Sequence, residues 1–205
     1  MIFQTSIFEV PFFKTKAIHH KKIKTYFEDV IFPFVKDNPP NNPNLNLWSD
    51  YFPDIPKIDP DIKNLYFDDV EKFKTKAGYS RAIEWVTDVN VWFNVGVRGT
   101  SQEEHDHMGG FPSTAWSAIH YAVFDKEEHT PTTFFNPIAQ LFLNSVRPTD
   151  KEDILPPEWK KRMVVPDVEE GDLLIFPSYL RHCVPVQTSN KLRATVALNL
   201  RITES

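Results

Sequence analysis

From Gly78 to its end the chain is written almost entirely in short β-type segments, and this constrains the fold more than any other feature. "RAIEWVTDVNVWFNVGVRG", residues 81–99, alternates apolar with polar positions and is rich in β-branched and aromatic residues. "WSAIHYAVF", "TTFFNP", "KRMVVP", "DLLIFP" and "RATVALNLRI" follow as further short strands, separated by turn residues or proline. No internal repeat runs through them. Strands this short and numerous must bury a face against a second sheet or close on themselves, so a sandwich or barrel is expected.

The first part of the chain reads differently. Residues 2–13 alternate weakly and predict a short strand with Pro11 near its end. Residues 15–36 carry Ile23, Tyr26, Phe27, Val30 and Ile31 at helical spacing, and Pro33 is expected to end or kink that helix. Residues 37–60 are dense in Pro and Asn and predict an irregular segment. Leu45, Leu47, Trp48, Tyr51 and Phe52 give it anchors onto the domain. A second helix is expected over 60–76, with Ile62, Leu65, Tyr66, Val70 and Phe73 on one stripe, Pro60 in its first turn and Gly78 just past its end. The expectation is an α+β, mainly β chain. It forms a single domain, 1–205, in which residues 1–79 are a helical and irregular elaboration on a β core of residues 80–205.

Composition narrows the function classes. With 41% hydrophobic and 25% charged residues, 205 residues suffice for one packed core. The net charge of -5 and the lack of a basic block argue against a grip on nucleic acid through its phosphates. No stretch approaches the ~20 apolar residues of a membrane span. The start, "MIFQTSIFEVPFFKTK", lacks the pattern of a secretory signal. The single cysteine, Cys183, excludes an internal disulfide framework and suits a reducing compartment, so a cytoplasmic location is expected.

The chemistry concentrates in three places. "EEHDHMGG" sets His105 and His107 two apart, so that in extended backbone both point to one face. Imidazole suits Fe, Zn, Cu or Ni. "GDLLIFPSYLRHCVPV" adds His182 after a strand closed by Pro177, and "NKLRATVALNL" places a lone charge, Arg193, at the head of an apolar strand. Each has a bland reading. A His-x-His pair in a loop is more often solvated surface, Arg193 alone would pair with a structural acid, and Trp92, Trp116 and Phe176 read as core. His19, His20, Lys21 and Lys22 read as a solvated helix face. The ordered combination of the three places favours a metal site at the mouth of a β structure.

These segments carry a resemblance. "NVWFNVGVRGTSQEEHDHMGGFPSTAWSAIHYAVF", "GDLLIFPSYLRHCVPV" and "LRATVALNL" resemble the iron(II)/2-oxoglutarate-dependent oxygenases of bacterial and marine-phage type, over roughly residues 80–202. The resemblance implies a double-stranded β-helix, the jelly-roll or cupin-like barrel. It implies Fe(II) held by His105 and His182, with His107 in the second-ligand position, and 2-oxoglutarate with its far carboxylate on Arg193. Thr195 and Tyr121 are implied as further hydrogen-bond partners of that cofactor, and Asn94 as another. Most such enzymes place a carboxylate where His107 stands. Asp106 and Glu103 stay open as alternative ligands. The implied activity is a dioxygenase that hydroxylates a C–H bond with O2, releasing succinate and CO2. The segment 37–60 and the turn "GGFPST" are expected to line the entrance, which favours a peptide or protein side chain over a small metabolite. Two other classes compete: a three-histidine cupin-type metalloprotein that does not use 2-oxoglutarate, and a non-enzymatic jelly-roll binding module.

Overall fold

The computed structural model describes residues 10–109, 114–137 and 161–205. Ten strands lie in these segments: β1 (Phe13–Lys16), β2 (Leu47–Ser49), β3 (Trp85–Gly96), β4 (Gln102–His105), β5 (Trp116–Val123), β6 (Thr133–Phe135), β7 (Met163–Val164), β8 (Asp172–Pro177), β9 (His182–Val184) and β10 (Arg193–Glu204). They form a six-stranded sheet in the order β1-β8-β5-β10-β3-β2 and a four-stranded sheet in the order β4-β9-β6-β7. Every pairing is antiparallel. The molecule is mainly β with few helices, as the sequence predicts.

The period of two along each strand divides the large sheet into two working faces. On β10, Ala194, Val196, Leu198, Leu200 and Ile202 join Val91, Phe93 and Val95 of β3 and Leu173 and Ile175 of β8 in one buried cluster. The helices supply the rest of that cluster through Ile23, Phe27, Ile31, Ile62, Tyr66, Val70 and Phe73. The other face carries Ile119 and Tyr121 of β5 and Leu174 and Phe176 of β8, packed on Phe134 of β6 and on Leu180. This second cluster lies between the two sheets. Arg193, Thr195, Ala197 and Asn199 have the parity of that inter-sheet face, so the strand that anchors the core also carries polar groups inward. Truncating Leu198, 1% exposed, to Ala would cost about 2–5 kcal/mol.

The helical layer follows the predicted stripes with several differences. The helical path begins at His20, because residues 13–16 pair with β8 as β1, a non-local choice that helical spacing does not reveal. The strand expected over 2–13 lies largely outside the described residues, and β1 starts only after Pro11. Pro33 does not end the path. α1 (His20–Tyr26) runs into a π turn (Phe27–Ile31) and then α2 (Phe32–Asp37), with the Phe32 N–H bonded to the Phe27 carbonyl. The widened turn admits a proline, which has no N–H to give, without a break. Val30, expected on the buried stripe, is half exposed. His20, read as part of a solvated face, is only partly exposed: its Nδ1 lies 3.1 Å from Nε2 of the buried His120.

Residues 38–59 pack on the large sheet as expected. β2 pairs with β3, and the buried Asp50 accepts N–H groups from Ile58 (2.8 Å) and Phe93 (2.6 Å). Tyr51 departs from its expected anchoring role, since it is 62% exposed. α3 (Pro60–Asn64) starts on Asp59, whose carboxylate accepts the Asp61 N–H, and α4 (Tyr66–Ala77) ends at Gly78 in the left-handed conformation, φ 88°. Gly96 closes β3. A Cβ there would meet the Thr100 side chain at 2.7 Å, and Thr100 Oγ1 accepts the Val97 N–H in the turn that leads to β4. Among the described residues no helix is long and apolar enough to cross a membrane.

Candidate metal centre and active site

His105 ends β4 and His182 begins β9, and the two are register partners across that pair. His107 lies two residues past β4, where its N–H donates to the Ser178 carbonyl, 2.9 Å, in the turn after β8. The three rings meet, with centroid separations of 4.4 Å (His105–His182), 5.1 Å (His107–His182) and 5.3 Å (His105–His107). One nitrogen from each lies within 4.8 Å of the others, so all three share a point no farther than about 2.8 Å from each (4.8 Å divided by √3), and small rotations reach the ~2.0–2.1 Å of an imidazole–metal bond. Neither Asp106 nor Glu103 belongs to this group.

Hydrogen bonds fix which nitrogen each ring offers. His105 Nδ1 donates to the Glu103 carbonyl (2.7 Å) and His182 Nδ1 to the Leu180 carbonyl (2.9 Å). His107 Nδ1 donates to Asn199 Oδ1 (2.5 Å), which also accepts the Ser117 hydroxyl at 3.0 Å. A carbonyl oxygen cannot donate, so the proton sits on Nδ1 and the Nε2 lone pair is left for a metal in all three rings. Burial pushes the His182 imidazole down to about 3, with His105 adding to the effect, and it lowers His107 against the opposing hydrogen bond to Asn199. Both rings are thereby neutral, the ligating form. Asn199 escaped the sequence reading. Its one signal there was parity: it stands two turns of the pleat beyond Thr195 on the face that Arg193 begins.

Arg193 is the second unusual group. It is buried, 5% exposed, and its Nε and Nη2 have no hydrogen-bond partner among the described residues. The Tyr121 and Phe124 rings flank it at 5.6 and 5.9 Å, and no carboxylate among the described residues answers it. Burial accordingly lowers its pKa. A desolvated guanidinium without an anion is costly, and its forked donors match a carboxylate. Thr195 faces Tyr121 on β5 and Asn94 on β3 in register. The Tyr121 hydroxyl accepts the Thr132 N–H at 3.2 Å, and the buried Thr132 Oγ1 is also without a partner among the described residues. The donor set around Arg193 fits a carboxylate.

A cavity of about 440 Å³ opens beside the histidines. His105, His107 and Asn199 line it, together with Tyr51, Phe52, Trp92, Asn94, Glu103 and Asp106. Leu45 and Ser49 extend the wall, so the Pro/Asn-rich segment does border the entrance. Of the turn "GGFPST", Gly109 lines the cavity, and Gly110–Ser113 lie outside the described residues.

Similar folds occur among solved oxygenases. A Pseudomonas putida prolyl-4-hydroxylase superposes with TM-score 0.60 at 11% identity, over 94% of this chain and 92% of that one. The viral collagen prolyl hydroxylase vCPH from Paramecium Bursaria Chlorella virus-1, solved with 2OG, gives 0.56 at 10% identity over 93% and 95%. A Trichoplax adhaerens prolyl hydroxylase in complex with a hypoxia inducible factor peptide fragment gives 0.53 at 10% identity over 92% and 82%. At such identities the likeness establishes the fold alone. No curated protein matches the sequence. Residues 90–199, more than half of the chain and the span that contains the three histidines and Arg193, match the family model described as "Putative 2OG-Fe(II) oxygenase", and the chain belongs to that family of iron(II)- and 2-oxoglutarate-dependent oxygenases.

Proposed function

We propose that His105, His107 and His182 hold the iron through Nε2, and that Arg193, helped by Thr195 and the Tyr121 hydroxyl, receives the far carboxylate of 2-oxoglutarate. The observation that carries this is the pairing of three converging imidazoles with a buried guanidinium whose Nε and Nη2 have no partner among the described residues. The two sheets then form a double-stranded β-helix, in one domain of residues 1–205 with a core of 80–205. The reaction is hydroxylation: substrate C–H, O2 and 2-oxoglutarate give C–OH, succinate and CO2, with two electrons from each organic partner reducing the oxygen.

Bound iron(II) supplies the oxygen activation, and the chain supplies position. β4 and β9 fix two ligands by register, Asn199 fixes the third, and the apolar cluster around Phe176 and Phe134 keeps water from the inner side. Asn94, buried and aimed into the cavity, is placed to orient the bound cofactor or substrate. A peptide or protein side chain is the favoured substrate, because the cavity lies open between the edges of the two sheets, β2 and β4. The Trichoplax adhaerens relative was solved with a peptide.

The test is anaerobic titration with iron(II) and 2-oxoglutarate. Formation of the visible charge-transfer band of the chelate is expected, followed on air exposure by succinate release. Metal binding without any effect of 2-oxoglutarate would move the protein to the cupin-type alternative, and no metal binding would leave a binding module.

A further inference from the structure

The cavity beside the histidines is acidic and aromatic. Among the described residues Glu103 and Asp106 line it, with no lysine or arginine, and Tyr51, Phe52 and Trp92 form its wall. Glu103 has no ion-pair partner among the described residues, whereas Glu104, the next residue, is paired with Arg181 at 3.1 Å. Among the described residues Asp106 accepts only the Met108 N–H, 3.0 Å. The rings are neighbours in succession. Trp92 lies 5.9 Å from His107, and Tyr51 lies 5.5 Å from Trp92 at the solvent end. Asn94 adds an amide with no hydrogen-bond partner among the described residues, although only 8% of the residue is exposed.

Charge balance points the same way. Iron(II), dianionic 2-oxoglutarate and Arg193 together leave one positive charge, because the ligand set contains no carboxylate. Glu103 and Asp106 exceed it by one. An anionic substrate would meet two carboxylates, and a neutral one would leave the excess unanswered. A cation answers it, and an aromatic wall adds attraction through the ring quadrupole.

We propose that the substrate presents a cationic group, an ammonium or guanidinium as a lysine or arginine side chain in a peptide carries, seated between the Glu103 carboxylate and the faces of Trp92 and Tyr51. The proposal rests on the reading of this site as the oxygenase centre. The aliphatic stem of such a side chain packs along Trp92, the ring next to His107, so its C–H bonds lie nearest the metal end.

The test uses protein loaded with zinc, a redox-silent stand-in, and 2-oxoglutarate, with binding followed by calorimetry. The probes are the N-acetyl methylamides of lysine, arginine and norleucine, and free lysine. The basic amides are expected to bind about tenfold or more tightly than the norleucine amide, the worth of one charge-assisted hydrogen bond. Glu103→Gln should bring the lysine and norleucine amides near parity, and Glu103→Lys should reverse their order. Tyr51→Ala, at an exposed position, should weaken the basic amides several-fold. Equal binding of the lysine and norleucine amides to the parent, or an unchanged order in Glu103→Lys, would overturn the proposal. Free lysine binding as tightly as its amide would keep the cation and overturn the peptide. Succinate release by the iron-loaded parent without any probe, measured in parallel, reports on the oxygenase reading separately.

Discussion

His107 is joined to Asn199 by a 2.5 Å hydrogen bond that crosses from the end of β4 to the middle of β10. The bond ties a candidate ligand in a turn to one of the two twelve-residue strands of the large sheet. Behind it, Ser117 Oγ donates to the same Asn199 oxygen and lies 2.9 Å from Ser178 Oγ, while the Ser178 carbonyl holds the His107 N–H. Backbone and ring of His107 are thus held by one buried polar network.

Asn199 should therefore control metal affinity without touching the metal. Asn199→Leu removes the acceptor that keeps the His107 proton on Nδ1, and a loss of about 10–100-fold in cobalt(II) or iron(II) affinity is expected. Asn199→Asp keeps an acceptor and should retain binding. Competition with a fluorescent chelator measures both. Parent-like affinity in Asn199→Leu would remove Asn199 from the site.

Arg193 should separate cofactor binding from metal binding. Arg193→Met takes away a forked, charge-assisted contact, and 2-oxoglutarate affinity should fall by about 100-fold or more while metal affinity stays near that of the parent. Because the guanidinium is buried with no anion beside it among the described residues, the variant should melt no lower than the parent when both lack 2-oxoglutarate. Adding 2-oxoglutarate should raise the melting temperature of the parent alone. Equal loss of metal and cofactor would assign Arg193 a structural role.

The strands that carry these residues were legible because alternation and proline mark them: β3, β5, β8 and β10 stand where their patterns place them. β4 was not legible as a strand. "QEEH" has no apolar period, and it is extended because β9 pairs with it. β1 was hidden in the same way by its dependence on β8. The histidines and Arg193 could be picked out as residue types in order, but the tautomers, the orphaned guanidinium and Asn199 depend on register and burial, which local sequence does not encode. Tyr51 shows the reverse error. An aromatic residue in an irregular segment was assigned to packing, and it lines the cavity instead.

Stability should fall in acid through His120. Its ring is buried between the Tyr66 hydroxyl (2.7 Å) and His20 (3.1 Å), and burial, with His20 adding to it, holds the imidazole down to about 3. An unfolded histidine titrates near 6.5, so the unfolded chain takes up the proton first. The stabilisation is complete above pH 6.5 and is lost progressively as the pH falls toward 3. Between pH 7 and pH 5 the loss from this one group is about 2 kcal/mol. Urea midpoints at the two pH values, compared for the parent and His120→Asn, measure it. An equal drop in both proteins would place the acid sensitivity elsewhere.

The last prediction concerns His107, the candidate ligand that departs from the usual pattern. His107→Asp creates two histidines and one carboxylate. Aspartate is shorter than histidine, but the His107 backbone is anchored to Ser178, and the Asn199 amide can turn its N–H toward the new carboxylate. The added charge also offsets one unit of the metal's. The variant should keep iron and 2-oxoglutarate binding and release succinate at least as fast as the parent. His107→Ala, with two of three ligands left and Asn199 unpaired, should lose most of that turnover and bind iron about 100-fold or more weakly. Metal affinity by chelator competition and succinate release by chromatography report the two effects independently. If His107→Ala matches the parent in both, His107 is not a ligand, and Asp106, one residue away at the same cavity, becomes the residue to test.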